Sequence, residues 1–303
     1  MLSIERELHT LHPHLGDRVA EVLIARERRE GFSVRPEVRL LAWAGAMMLA
    51  TAAGIVLKNN LDRIGPFALA AMMGLAAAAC YAWVWWRRER AGLIDEYILL
   101  LGALLVSADA AFIETQFRLF GTAWHRHFLI LAVVHGAGAY LYRSRTLLSL
   151  SIGAVAGWLG VRGFDGALGR NGYDYALRAS TVAALVLVWR RLNRREEFTP
   201  VFEHFAALLL LAAGVALMTE DAMRALYCLV TIGIAAGVIW WGFHVRRLAF
   251  LLYGFVGGVI AGNVLMFELI SEEAIAVLLL VLLNIGAIVA LIVTYARFRE
   301  LRA

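Results

Sequence analysis

Apolar runs separated by short polar stretches repeat along the whole chain. At roughly 17–25 residues, each can cross a hydrocarbon core of about 30 Å as a helix rising about 1.5 Å per residue. The pattern predicts an all-α fold: a polytopic transmembrane helical bundle of about ten spans. The predicted spans lie at approximately 38–57, 66–86, 97–116, 125–142, 146–161, 174–189, 201–219, 223–243, 248–268 and 274–296, and the fourth to sixth have the shortest apolar cores.

Composition supports a membrane protein over a large soluble domain. The 303 residues are 61% hydrophobic and 17% charged, whereas soluble domains carry about 25% charged residues. No apolar core with a small-residue cleavage site precedes the first span, so we expect that span to act as the insertion signal. Short connections predict that sequence neighbours pack as antiparallel hairpins.

The polar start of the chain predicts a separate cytoplasmic segment. Residues 1–37 are charged, and an apolar stripe after Pro13 recurs at helical spacing. We interpret 1–37 as an amphipathic helical segment, either lying on the membrane surface or docked on the bundle or a partner. The remaining predicted divisions are 38–161, with the first five spans, and 174–303, with the last five spans and a short cytoplasmic tail. The histidines at positions 9, 12 and 14 have no Cys or carboxylate set beside them, so a solvated surface is the interpretation and no metal is predicted.

Positive charge predicts the orientation. If the N-terminus is cytoplasmic, 21 of the 29 Lys and Arg residues fall on cytoplasmic segments. Cytoplasmic loops of membrane proteins carry such an excess. We therefore expect both termini in the cytoplasm and an even number of spans. The formal charge of +5 is explained by this topology, and no nucleic-acid partner is predicted.

Several motifs between residues 97 and 161 match a known pattern. An apolar helix leads to a glutamine-and-aromatic pair and a glycine turn, and a tryptophan-opened helix then ends in Arg-Ser-Arg. The matching residues are Gly102, Ala103, Leu104, Gln116, Phe117, Gly121, Trp124, Arg143, Ser144 and Arg145. Through these residues, the segment 97–161 resembles a bacterial family of predicted membrane proteins, domain of unknown function 2157. The segment 40–60 also looks like the first helix of that family. The resemblance implies a bacterial inner-membrane protein and no particular reaction.

Five polar residues within the predicted spans form a candidate intramembrane site. Asp109 in the third span and His135 in the fourth fall at similar depths, slightly beyond the midplane. A lone carboxylate at the bilayer centre costs about 2.5–3.5 kcal/mol on insertion scales, so Asp109 is expected to face the interior, and His135 is the best partner. Glu114 lies near the outer interface and is expected to reach water. The remaining candidates are Asn263 and Asn284, in the ninth and tenth spans.

Two interpretations of this site stay open. An Asp109–His135 pair could form a proton-linked or cation-binding site, or it could be an interhelical hydrogen bond that fixes packing. Gly254, Gly258 and Gly262 at four-residue spacing predict close helix packing. Glu203 and His204, at the cytoplasmic start of the seventh span, are expected to be solvated. The two cysteines are interpreted as free packing residues.

The sequence carries no nucleotide, zinc, haem or hydrolase motif, so no catalytic residue and no cofactor is predicted. The favoured function is a non-enzymatic packing or accessory component of a membrane assembly, in contact with the lipid bilayer and with a membrane-protein partner or a second copy. The alternative is a transporter or channel for a small solute, ion or lipid that uses the region around Asp109 and His135.

Overall fold

The computed structural model describes residues 65–87, 92–123, 125–161, 171–270 and 272–300, together with 40, 41, 44, 45, 47–49, 51, 52, 54 and 55. The predicted cytoplasmic segment 1–37 lies outside these residues, as does most of the connection between the fifth and sixth predicted spans. The chain divides into two compact units between Ile55 and Val56. In the first unit, the described residues are helical, in agreement with a helix at the first predicted span.

The second unit contains nine α-helices within its described part, and no strand occurs among those residues. The helices are α1 (Pro66–Trp86), α2 (Leu93–Phe117), α3 (Arg126–Tyr142), α4 (Arg145–Trp158), α5 (Gly172–Leu192), α6 (Thr199–Leu217), α7 (Arg224–His244), α8 (Leu248–Leu269) and α9 (Glu273–Glu300). Each coincides with one of the predicted spans from the second to the tenth. The all-helical fold class is therefore confirmed.

Six of these helices are long and apolar enough to cross a membrane, namely α1, α2, α6, α7, α8 and α9. The other three correspond to the fourth, fifth and sixth predicted spans. Helix α3 has 17 residues and α4 has 14, so they extend only about 25 Å and 21 Å. Helix α5 has 21 residues but includes Asp174, Arg178, Arg190 and Arg191. The described residues thus support six spans, and the ten-span arrangement stays a prediction.

Sequence neighbours pack together, as the short connections predict. The closest associations are α1 with α2, α3 with α4, α5 with α6, and α7 with α8, whereas α9 packs mainly on α8. Helices α1, α3, α5 and α7 end on one side, where their ends are bonded to neighbouring elements. We call this the arginine-rich end, and it includes Arg87, Arg143, Arg190 and Arg247.

Helix α6 is the centre of the bundle. More than half of its apolar window is buried (56%), compared with 17% for α7. It packs on α4, α5, α7 and α8 and contributes to three of the buried apolar clusters. The largest cluster joins residues from α1 through α6, so it crosses the predicted division between 161 and 174.

Glycine lets α8 approach α7 closely, as its spacing predicts. A Cβ added at Gly254 would lie 2.5 Å from Ile239 Cγ1 and 2.6 Å from the Ala235 carbonyl oxygen. These contacts leave no space for a side chain. Cys80 and Cys228 are free, as predicted.

Candidate functional site

His135 is buried between helices and bonds to a serine. Its side chain is 1% exposed, and its Nε2 lies 2.9 Å from the Ser107 Oγ on α2. The Ser107 Oγ also lies 3.0 Å from the Ala103 carbonyl oxygen. A hydroxyl has one proton to donate, so Ser107 donates either to this carbonyl or to Nε2, and the tautomer of His135 decides between the two.

Asp109 faces a different helix. Its Oδ2 lies 3.4 Å from the point where a Cβ would stand on Gly74 of α1. Its Oδ1 is enclosed, and no hydrogen-bond partner for it occurs among the described residues. Gly74 therefore provides the space that this carboxylate occupies. No hydrogen bond or ion pair in the described part of the chain joins Asp109 to His135.

Helix geometry explains why His135 bonds to Ser107 and not to Asp109. Ser107 and Asp109 are two residues apart, which rotates their side chains by about 200° around the axis of α2. When Ser107 points at His135 on α3, Asp109 must point away from it. Depth along two adjacent helices can be read from the sequence, but the face that each side chain occupies depends on how the helices are rotated.

Glu114 is buried, contrary to the expectation that it reaches water. It is 8% exposed, and its carboxylate oxygens accept from the Phe120 backbone N–H at 3.2 Å and 3.3 Å. Helix α2 ends at Phe117, and the next residue, Arg118, adopts a left-handed conformation with φ 47°. The chain then turns back under the Glu114 side chain, and the carboxylate satisfies a backbone donor that the turn leaves free. This is a local structural role.

Asn263 and Asn284 join α8 to α9. The Asn284 Nδ2 donates to the Asn263 Oδ1 at 3.1 Å and also to the Leu280 carbonyl oxygen at 2.8 Å. Leu283 of α9 packs against the position of Gly262, one residue before Asn263. The two asparagines thus form an interhelical bond, and they share no hydrogen bond with Asp109, His135 or Glu114 in the described structure. The five predicted residues therefore make separate contacts, and the described structure does not bring them together in one site.

Glu203 is buried and ion-paired, although its position near a helix end predicts a solvated side chain. Glu203 on α6 is 6% exposed. Its Oε1 lies 2.6 Å from an Arg190 guanidinium nitrogen at the end of α5, and its Oε2 accepts from Arg247 at 2.7 Å. Arg247 precedes α8, so one carboxylate ties three helices together at the arginine-rich end. Arg190 also lies over the Trp241 ring, 5.7 Å from its centroid, which is within cation–π distance.

A signal for this cluster exists in the sequence. Arg190, Glu203 and Arg247 all lie at the cytoplasmic ends of their predicted spans, so the topology places them at one level. Two guanidinium groups and one carboxylate at a common depth favour an ion-paired group over three solvated ones. The pattern of apolar residues could not show that the three helices meet there.

The neighbouring His204 also packs inward. Its ring stacks on Phe250 with a centroid distance of 4.7 Å and an interplanar angle of 6°, and Tyr253 meets it edge-on at 5.7 Å. His204 is therefore partly buried against aromatic rings. Within the described ranges, no group of three or more His, Cys, Asp or Glu side chains is arranged to hold a metal ion.

Comparison with known proteins agrees with the resemblance in the first half of the chain. A protein-family model described as a predicted membrane protein, domain of unknown function 2157, matches residues 14–148. The match covers α1, α2 and α3 and reaches the start of α4. No curated protein and no solved structure matches the chain. The chain is a helical membrane protein, and the family description supplies no reaction.

Proposed function

We propose that this protein is a non-enzymatic component of the bacterial inner membrane that works by packing against a membrane-protein partner or within a membrane assembly. In this proposal the chain crosses the membrane ten times, with both termini in the cytoplasm. The uneven distribution of Lys and Arg supports the orientation. The coincidence of nine helices with predicted spans supports the number of elements.

The observation that carries the proposal is the use of polar side chains inside the bundle. Several of them join one helix to another in the described part of the chain. Ser151 on α4 donates to the Ala132 carbonyl oxygen of α3 at 2.7 Å, and Tyr142 on α3 donates to the Tyr81 carbonyl oxygen of α1 at 3.1 Å. The His135–Ser107 and Asn284–Asn263 bonds act in the same way. Such bonds fix helix packing in a membrane.

The last helix supplies a surface for association. No residue in the Val277–Phe298 window of α9 counts as buried apart from its final position, and this window is the most apolar of the candidate spans. Helix α9 packs mainly on α8, and most of its described residues are exposed, so its surface is available to lipid or to another membrane protein. Ile285 and Ile292 are 54% and 62% exposed on this surface.

Photocrosslinking in native membranes tests the proposal. A photoreactive amino acid would replace Ile285 or Ile292 in separate variants, and Leu251, which is 0% exposed, would serve as the buried control. We expect a protein adduct of discrete mass from the α9 positions and none from the control. If every exposed position tested around the bundle gives lipid adducts alone, and the protein extracted in native nanodiscs is a single chain, the proposal is wrong.

Transport of a proton-linked solute is the second candidate, and one observation favours it. The enclosed Asp109 Oδ1 and His135 Nδ1 atoms both lack a hydrogen-bond partner among the described residues. Two unsatisfied polar atoms on adjacent membrane helices are costly, and a bound proton or cation would relieve this cost. In proteoliposomes under a pH gradient, this function requires proton flux above that of protein-free vesicles. Asp109→Asn should abolish the excess flux, and Glu114→Gln should retain it.

A further inference from the structure

A groove opens beside the Glu203–Arg190 pair, between α5 and α7. Its volume is about 390 Å³, and α6 forms its floor through Ala206, Ala207 and Leu210. Among the described residues that line it, Arg190 and Glu203 are the only charged groups. Gly237 on α7 keeps one wall open, because a Cβ added there would meet nothing within 4 Å. The groove is therefore an apolar channel with charge at one end.

The groove follows the direction expected for a lipid. Its lining on α6 extends from Glu203 to Leu210 and on α7 from Trp241 back to Ile234. Seven residues of helix span about 10 Å. Arg190 and Trp241 lie near the ends of their helices, where charged and amphipathic groups meet the headgroup layer, and the apolar part extends toward the membrane interior. A phospholipid has the same change from charged to apolar over this distance.

The charged end is complementary to a phosphate. Arg190, Arg247 and Glu203 carry a net charge of +1. Each guanidinium uses one nitrogen on Glu203, and the two arginine side chains are 31% and 32% exposed. Their remaining N–H groups can donate outward to a planar or tetrahedral oxyanion. Glu203 holds both cations in position before a ligand arrives, which reduces the entropy lost on binding.

We propose that this groove is a binding site for an anionic phospholipid, with an acyl chain in the groove and the phosphate on Arg190 and Arg247. The negative headgroup distinguishes such a lipid from a zwitterionic one of the same chain length, because only the former carries a net charge opposite to that of the cluster. The site is independent of whether α9 binds a protein partner.

Native mass spectrometry of the delipidated full chain in detergent tests this site. Dioleoyl phosphatidylglycerol and dioleoyl phosphatidylcholine are the probes, because they have identical acyl chains. We expect the wild type to retain one phosphatidylglycerol with at least tenfold preference. Gly237→Leu, which fills the groove, and Arg190→Gln, which removes a phosphate donor, should each weaken that binding about tenfold.

Two matched variants control for nonspecific effects. Gly233→Leu adds the same side chain one turn away on α7, where a Cβ also meets nothing within 4 Å, but Gly233 does not line the groove. Arg191→Gln removes an exposed arginine next to Arg190. Both should bind phosphatidylglycerol like the wild type.

Other outcomes would overturn the proposal. Equal retention of the two lipids would exclude recognition of the headgroup, and unchanged binding by Gly237→Leu would exclude the groove as the place of the acyl chain. Gly237 is exposed and lies outside the ion-paired cluster. The Gly237→Leu variant therefore still tests whether the acyl chain lies in the groove, even if Arg190→Gln fails to fold. Displacement of the lipid by millimolar glycerol phosphate would show that the site binds a soluble phosphate instead.

Discussion

Glu203→Gln is the substitution with the largest expected effect on stability. The wild-type carboxylate is 5% exposed and receives contacts of 2.6 Å and 2.7 Å from two guanidinium groups. A hydrogen bond to a charged group contributes about 1.5–3 kcal/mol, and the glutamine keeps the shape but loses the charge. The two arginines are about one-third exposed and regain part of their hydration in the variant. We therefore expect the free energy of unfolding to fall by about 2–4 kcal/mol, which is less than the sum of the two hydrogen-bond contributions.

The two arginines should show coupled effects. Arg190→Gln and Arg247→Gln each leave Glu203 with one cation, so each single change should cost about 1–2 kcal/mol. The double variant leaves a carboxylate buried without a countercharge, and its cost should exceed the sum of the single costs by at least about 1 kcal/mol.

The assay is unfolding in mixed detergent micelles, followed by the reaction of a fluorogenic maleimide with Cys228, which is 0% exposed in the folded protein. Glu197→Gln is the matched control. Glu197 also pairs with an arginine, Arg143, but that arginine side chain is 71% exposed, so the control should lose less than about 1 kcal/mol. Equal losses for Glu203→Gln and Glu197→Gln, or additive arginine variants, would refute the reasoning.

Three further predictions use the same assay. Gly254→Ala should cost about 1–3 kcal/mol because its Cβ would overlap α7, whereas Gly233→Ala, in open space, should be neutral or stabilise by up to about 1 kcal/mol; equal effects would contradict the close packing. Ser107→Ala should cost about 1 kcal/mol by removing the hydrogen bond to His135 Nε2, and an unchanged midpoint would argue against that bond. Asn284→Leu should cost a similar amount by separating α8 from α9, and a stabilised variant would contradict it.

Much of the fold could be predicted because the length of an apolar run in the sequence indicates the length of a membrane helix. The predicted span 66–86 has the same bounds as α1, and the predicted span 248–268 is one residue shorter than α8. Helix α2 begins at Leu93, four residues before its predicted start. Its first turn holds Asp95 and Glu96, which resemble loop residues in composition. Acidic side chains are in fact favourable at a helix N-terminus, where the helix dipole is positive.

The contacts inside the bundle were less predictable. The sequence locates Asp109 and His135 along their helices but contains no direct signal for helix rotation, and a two-residue offset decided that Ser107 meets the histidine. The position of Glu203 near a helix end predicts a solvent-exposed side chain. Its burial depends on α5 and α8 both packing on α6, which is a tertiary property that local hydropathy does not contain.

Membrane crossing by the short helices α3, α4 and α5 can be tested by cysteine labelling. Single cysteines at Leu119, Thr146, Asp165 and Glu196 would be introduced into a cysteine-free chain and exposed to a membrane-impermeant maleimide. If each short helix crosses the membrane and both termini are cytoplasmic, the cysteines at 119 and 165 react in intact cells. Those at 146 and 196 then react only after the inner membrane is permeabilised. Reaction at all four positions in intact cells, or at 119 and 196 from the same side, would contradict the ten-span arrangement.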